Sequence, residues 1–186
     1  MPACRAVLDA CVLFPTLLRE ILLGVAAAGL FQPRWSPRIL EEWARAVVKL
    51  GPGAEVIARG EIARLRVNWP AAEVTVPAAM LPRFWLPDPA DVHVLAAAVA
   101  CHADLIITLN ARDFPRNVLA DEGIRRADPD GFLCELAAQT PAAVAGVVAS
   151  VVAEACRLSG SDWTARRLLK KAGLPRLVRA LERADL

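Results

Sequence analysis

Apolar and polar positions along the chain alternate in blocks that predict short buried strands separated by helices. An apolar run that ends on Asp9 predicts the first strand, and the helical spacing of apolar residues over 16–29 predicts the helix that follows. Residues 30–35 predict a second strand, and Ser36-Pro37, a capping hydroxyl before a proline, begins a helix predicted over 37–50. This alternation is typical of a parallel sheet covered by helices.

The same alternation continues through the middle of the chain. Residues 54–69 predict another helix, whereas the proline-rich stretch 70–87 predicts no regular element. Asp88-Pro89 begins a helix that extends to His102, and the β-branched run over 104–109 predicts a further buried strand. The predicted fold is therefore an α/β class with a parallel sheet.

From residue 127 onward the pattern predicts helices only, and the charge changes sign. The predicted helices cover 132–138, 141–157, 162–172 and 175–184. Residues 157–186 contain eight basic and three acidic residues, whereas residues 1–156 contain fourteen basic and seventeen acidic residues. We predict two domains, an α/β domain over 1–136 and a basic helical extension over 137–186.

Composition excludes several classes of protein. The 186 residues are 56% apolar and 23% charged, which excludes a disordered chain. The longest uncharged apolar run, 142–153, is shorter than the roughly twenty residues of a membrane span, so no span is predicted. Asp9 interrupts the apolar N-terminal stretch, which argues against a secretory leader. We expect a cytoplasmic protein that does not bind membranes.

The metal-binding and nucleophilic residue types are sparse. The five cysteines are scattered without a C-x-x-C pair, which argues against a disulfide framework or a structural zinc site. Two histidines, His93 and His102, cannot form a three-histidine zinc centre. Any catalytic chemistry is expected to depend on carboxylates.

Several acids are predicted to meet at one edge of the sheet. Ligands of parallel α/β sheets bind beyond the carboxyl ends of the strands, where Asp9 ends the first strand and Asn110 and Asp113 follow the last predicted strand. A carboxylate at the end of an apolar strand is costly without a partner. Helical periodicity places Glu42 beside the apolar face of its helix and Glu41 toward water.

Each acid also has an ordinary structural interpretation. Asp88 is a natural helix N-cap, and Asp91 lies in a first turn where the helix dipole favours a carboxylate. Asn110 and Asp113 are residues that shape a turn, and Glu42 is a surface acid by pattern alone. Spacing leaves these alternatives open.

Four segments, taken together and in order, resemble PIN-domain proteins of the VapC toxin type. The segments are LDACVLF over 8–14, WSPRILEE over 35–42, LPDPADVHVLAAA over 86–98 and TLNARDFP over 108–115. The resemblance covers roughly residues 5–136. It implies a three-layer α/β/α domain with a parallel sheet, here followed by a helical extension, and a metal-dependent endoribonuclease activity.

The resemblance also implies a set of site residues. Asp9, Glu42 and Asp91 match the first three acids of the family, and the fourth position falls on Asn110 or Asp113. It implies Asp9 as a bridging ligand of Mg²⁺ or Mn²⁺, with Asp91 and Asp113 flanking it. Glu42 is then a ligand or a base that orients water, and Asn110 a positioning amide. One or two ions fit this set.

Substrate and partner expectations follow from the same resemblance. Arg112, Arg116 and Thr108 are predicted to contact RNA, and Arg125 and Arg126, placed after the last strand, could extend that contact. Trp85, beside the segment over 86–98, is a candidate for base stacking. The expected partners are RNA, a small antitoxin protein and a second copy of the chain.

Two positions depart from the family pattern. Cys11 stands where the family usually has asparagine, and a thiol is not expected to replace the donor and acceptor of the amide, so reduced activity is predicted. Val92 stands where close relatives often have arginine before His93. A non-catalytic PIN-like scaffold that binds RNA or protein is therefore an alternative.

A phosphatase of the haloacid-dehalogenase type is a further alternative, because it also begins with an aspartate at a strand end. That class normally has a second aspartate two residues later, and Cys11 occupies this position.

Overall fold

The computed structural model describes residues 4–184, and residues 1–3 and 185–186 of the two predicted domains lie outside the described part. Ten α-helices and four strands are present among the described residues. In chain order they are β1 (Arg5–Leu8), α1 (Ala10–Leu13), α2 (Thr16–Ala27), β2 (Gln32–Arg34), α3 (Pro37–Ala46), α4 (Ala54–Asn68), α5 (Val92–Ala100), β3 (Leu105–Ile107), α6 (Arg116–Asp121), β4 (Arg125–Ala127), α7 (Pro129–Gln139), α8 (Pro141–Ser159), α9 (Ala165–Lys171) and α10 (Pro175–Arg183).

The strands form one parallel sheet in the order β2-β1-β3-β4. Val7 of β1 pairs with Ile106 of β3 at the centre, and Ile106 pairs with Arg126 of β4. The side chains of β3 and of the apolar part of β1 are at most 1% exposed, as expected of strands covered on both faces. The sheet and the C-terminal helices confirm the predicted α/β/α fold class with a helical extension.

The chain forms two compact units. The first contains the chain up to Phe14 and Gln32–Ala127, and therefore all four strands. Within it, α5 packs against β1 and β3, and α3 contacts α1, α4 and α5. The helix α3 begins as predicted, because Ser36 accepts a hydrogen bond from the Ile39 amide at 3.3 Å.

The sequence pattern missed the last strand and the helix before it. Arg125 and Arg126 belong to β4, so their predicted position after the last strand is wrong. Because β4 is a short edge strand with two charged residues, it lacks the apolar run that identified β1 and β3. Residues 78–83, within the stretch that predicted no regular element, form a short 3₁₀ turn.

The second unit contains Pro15–Phe31 and the chain from Asp128 onward. Its helix α2 packs against α8, and α7 packs against α8 and α10. Phe31 and Phe132 meet edge to face with centroids 5.1 Å apart. The buried Asp130 carboxylate accepts hydrogen bonds from the first two amides of α10, both at 2.8 Å, and so holds the start of that helix on α7.

Helix α8 differs from the other helices of the second unit. Its 19 residues are long and apolar enough to cross a membrane by length and composition, and 11% of the apolar window is buried. The twelve-residue apolar run over 142–153 stops before Ala155, Cys156 and Leu158, which extend the apolar character of this helix past Glu154.

Candidate metal centre

Asp9 leaves the end of β1 and lies buried at the edge of the sheet, with 6% of its surface exposed. Its backbone amide donates to the Ile107 carbonyl at 3.1 Å, which fixes the residue beside the end of β3. The Thr108 hydroxyl donates to Asp9 Oδ2 at 2.7 Å and accepts from the Asn110 amide at 2.9 Å. The adjacent ends of two parallel strands therefore hold this carboxylate in one orientation.

Cys11 supports the same carboxylate oxygen. Its Sγ donates to Asp9 Oδ2 at 3.1 Å and accepts from the Leu109 amide at 3.3 Å. Burial, and then the negative charge of Asp9, raise the pKa of the Cys11 thiol to about 12, so the thiol remains protonated at neutral pH. Cys11 therefore provides one donor and one acceptor contact, so the expectation that a thiol replaces neither contact of the amide is wrong, whereas the reduced activity stays a prediction.

A second group of acids lies around the 3₁₀ turn before α5. Carboxylate oxygens of Asp88, Asp91 and Asp113 all lie within 4.8 Å of one another, close enough to share a metal ion. Asp88 accepts a hydrogen bond from the Ala90 amide at 2.8 Å, which confirms its predicted capping role. Asp88 also belongs to the acidic cluster, a position that the sequence analysis did not predict because it interpreted Asp88 only as a helix cap. The three-residue spacing from Asp91 could have indicated it.

Asn110 joins two of these carboxylates. Its Nδ2 donates to Asp91 Oδ2 at 3.3 Å and also to Asp113 Oδ2. A neutral amide that donates to both acids lowers their mutual repulsion without occupying the site as a cation. Asn110 therefore contacts both acids as a donor, and of the two candidates for the fourth position only Asp113 adds a carboxylate to the cluster.

The pKa of Asp91 is affected by several nearby acids. Burial, followed by the charges of Asp9, Asp88, Asp113 and Glu42, raises its pKa from 3.8 to about 6. A carboxyl group whose pKa is raised by four neighbouring carboxylates lies within a shared negative field. The charges of Asp9, which follows β1, and of Glu42 on α3 therefore reach Asp91, whereas Asp88 and Asp113 lie in direct reach of it.

Glu42 reaches the site from α3. Its Oε1 lies 2.6 Å from Nε2 of the buried His93, although neither nitrogen of that ring makes a hydrogen bond of normal geometry with any of the residues that the structure describes. The Arg38 guanidinium lies 3.8 Å from the same oxygen. No role at the site was predicted for His93, although its position on the first turn of α5, two residues after Asp91, was an available signal.

The neighbouring Glu41 takes no part in the site. It pairs with Arg45 at 3.1 Å and with Arg59 at 3.0 Å, and hydrogen bonds from Arg59 and then Arg45 lower its pKa to about 2. The side chains of Glu41 and Glu42 are almost equally exposed, at 37% and 33%, so the predicted contrast between a water-facing and a core-bordering glutamate is wrong. The two glutamates differ in their partners, because Glu42 lies beside His93 and contributes to the raised pKa of Asp91.

The residues predicted to contact RNA differ from one another in their exposure to solvent. Arg112 and Arg116 are exposed, and neither has an ion pair with an acid of the cluster among residues 4–184. Thr108 is 3% exposed, and its hydroxyl is engaged with Asp9 and Asn110. Trp85 is 69% exposed, which leaves its indole open for stacking.

The donor set suits a hard divalent cation. Carboxylate oxygens dominate the site, and hard ions such as Mg²⁺ and Mn²⁺ prefer oxygen ligands. The raised pKa of Asp91 reports repulsion that a cation would relieve. Asp88, Asp91 and Asp113 are the residues whose oxygens lie close enough together to hold such an ion, and the charges of Asp9 and Glu42 add to the negative field at Asp91.

Comparison with known proteins gives one match. A family model described as PIN domain matches residues 5–112, more than half of the chain. No curated protein and no solved structure matches.

Proposed function

The chain belongs to the PIN-domain family, and from that premise we propose that it is a metal-dependent endoribonuclease. PIN domains are generally nucleases, so family membership supports hydrolysis of nucleic acid. The observation that carries the proposal is the cluster of Asp88, Asp91 and Asp113, whose carboxylate oxygens lie within 4.8 Å of one another and could share one cation. The raised pKa of Asp91, caused by burial and then by the neighbouring carboxylates, fits a repulsion that a bound cation would relieve.

The proposed chemistry is hydrolysis of a phosphodiester bond. When bound, the divalent cation supplies Lewis-acid activation of water and stabilises negative charge on the phosphate. Asp9, Asp91 and Asp113 would hold the cation, and the hydrogen bonds from Thr108 and Cys11 keep Asp9 in position. Water contributes the new P–O bond, and one ribose oxygen leaves with a proton.

Glu42 is the group best placed to receive a proton in this scheme. One of its oxygens is held close to His93 and Arg38. The side chain is 33% exposed, so water can reach it. We assign Glu42 to orienting water and accepting its proton, or to ligation of the ion.

RNA is the proposed substrate, with phosphate contacts from the exposed Arg112 and Arg116. The exposed indole of Trp85, three residues before Asp88, supports stacking of a base near the acidic cluster. Stacking accepts every base, so this contact favours single strands rather than one sequence.

A toxin–antitoxin role is a further part of the proposal and rests on the resemblance to VapC-type proteins. The surface of α4 supports a protein partner, because Val56, Ile57 and Val67 are 75%, 67% and 78% exposed. Co-expression with the small protein encoded by the adjacent gene should yield a complex and relieve growth arrest. A homodimer is expected by light scattering, and a cytoplasmic location by cell fractionation.

The direct test is cleavage of a pool of cellular RNAs by the full chain with Mn²⁺ or Mg²⁺. We expect the wild type to cut, Asp9→Asn and Asp91→Asn to lose at least a hundredfold in rate, and a chelator to stop the reaction. Asp121→Asn, an exposed acid on α6, is the matched control and should cut normally.

Metal-dependent cleavage that persists in both site variants would contradict the proposal. Saturable RNA binding without cleavage by the Mn²⁺-loaded wild type would favour the non-catalytic scaffold instead.

A further inference from the structure

The C-terminal helices contain two cations held by an aromatic ring. Cζ of Arg167 lies 5.4 Å from the centroid of the Trp163 ring, and Nζ of Lys171 lies 4.9 Å from it. Trp163 is held at the end of α8 by two hydrogen bonds. Its indole Nε1 donates to Ser159 Oγ at 3.0 Å, and its backbone amide donates to Cys156 Sγ at 3.2 Å. The ring therefore fixes the positions of both cations.

These two cations differ from several arginines of the same unit, which lie in ion pairs with carboxylates. The Arg167 guanidinium donates to the main-chain carbonyl of Asp162 at 3.1 Å, and no carboxylate pairs with Arg167 or Lys171 within residues 4–184. The arginines that are neutralised are held in the ion pairs Arg157–Glu154 at 2.6 Å, Arg166–Glu182 at 2.8 Å and Arg176–Asp128 at 2.9 Å. A ring orients a cation without cancelling its charge, which an acid would do.

Helix α9 presents these cations to solvent. It buries Leu168 and Leu169 and exposes the residues on either side of them, so Lys170 adds a third charge beside Lys171. Arg167 and Lys171 are one helical turn apart and therefore lie on the same face. Fixed, unneutralised cations on one face match a polyanion with regularly spaced charges.

We propose that the Trp163 cluster, formed by Trp163, Arg167, Lys170 and Lys171, binds the phosphate backbone of single-stranded RNA. The choice of RNA as the polyanion rests on the proposed ribonuclease function. An anionic lipid surface has similar charge, but Trp163 is half-buried and its N–H is already bonded, so the ring is not free to insert into a bilayer.

The test measures binding of a fluorescently labelled 20-nucleotide RNA to the full chain by anisotropy, in EDTA so that no cleavage occurs, over a series of salt concentrations. The double variant Arg167→Gln/Lys171→Gln removes both ring-bound cations. The double variant Arg157→Gln/Arg166→Gln is the matched control, because it removes the same charge from the same unit at positions that carboxylates neutralise. Circular dichroism checks that both variants keep their helices.

We expect the first variant to bind RNA about tenfold more weakly at low salt, and its salt dependence, plotted as log K against log salt, to be less steep by about 1.4. The control should stay within about twofold of the wild type. Trp163→Phe, which keeps a ring, should retain more affinity than Trp163→Ala.

Equal losses in the two double variants would overturn the proposal, as would binding to vesicles of 30% phosphatidylserine by the wild type together with no binding to RNA. The assay separates this proposal from the catalytic one. RNA bound through the cluster but never cut would refute only the nuclease, and cleavage with unaltered binding by the variants would refute only the cluster.

Discussion

At the scale of single residues, the pKa of Asp91 responds to the charges of the surrounding acids. Burial and then its carboxylate neighbours raise its pKa from 3.8 to about 6, so between these pH values the folded chain retains a proton that the unfolded chain releases. The folded state binds more protons in this window, and the free energy of unfolding therefore falls as pH rises from about 4 to about 6. Above the raised pKa the destabilisation is complete.

Asp91→Asn should accordingly stabilise the metal-free protein at pH 7.5. Removing the charge recovers about 1 kcal/mol after allowance for partial solvent exposure, or roughly 2–4 °C in the midpoint of thermal unfolding. At pH 4 the difference should vanish, because the wild-type carboxyl is then protonated. Calorimetry in EDTA measures both, with Asp121→Asn as the control. A variant less stable than the wild type at pH 7.5 would contradict the proposed repulsion.

The Cys11 thiol provides a second test at the scale of one residue. Cys11→Ala removes a donor from Asp9 and an acceptor from the Leu109 amide. At about 1 kcal/mol for one net hydrogen bond, we expect Mn²⁺ affinity to fall about fivefold. Cys11→Ser should retain most of the affinity. Titration calorimetry measures this, and unchanged affinity in the alanine variant would show that Thr108 alone holds Asp9.

At the scale of elements, two helix caps of the same kind belong to different units. Ser36 caps α3 and Thr164 caps α9, each by accepting a hydrogen bond at 3.3 Å from the amide three residues later. Helix α3 carries Glu42, whereas α9 carries the cations of the Trp163 cluster. The two caps therefore control different surfaces.

Ser36→Ala and Thr164→Ala should each cost about 1 kcal/mol of stability. Only Ser36→Ala should also weaken Mn²⁺ binding, because it loosens the helix that brings Glu42 to the acids. Chemical denaturation and calorimetry on both variants check this. Equal effects on Mn²⁺ affinity would mean that the position of Glu42 does not depend on the start of α3.

The strands differ in whether the sequence pattern alone could predict them. The buried strands β1 and β3 were predictable because their apolar, β-branched runs exist only when both faces are covered. The edge strand β4 was not, because its pairing depends on the neighbour β3 rather than on its own residues. At the candidate site, the buried position of Asp9 could be predicted from the end of an apolar strand, whereas the contacts of Glu42 with His93 and of Cys11 with Asp9 depend on side chains that the fold brings together.

At the scale of the whole molecule, the acidic cluster and the ring-bound cations lie in different units of the chain. The acids that surround Asp91 belong to the first unit, and the cations on Trp163 belong to the second. An anionic site repels RNA until a cation is bound, so an enzyme of this kind benefits from a separate positive surface that captures the substrate. The two proposals assign these tasks to different residues.

The central claim is that acids from distant parts of the sequence form one site for a hard divalent cation. Calorimetric titration of the full chain with Mn²⁺ at pH 7.5 tests it most directly. We predict saturable binding by the wild type and by Asp121→Asn, and at least tenfold weaker binding by Asp9→Asn and by Asp91→Asn. Identical titration curves for all four proteins, or no heat of binding from the wild type, would contradict the claim.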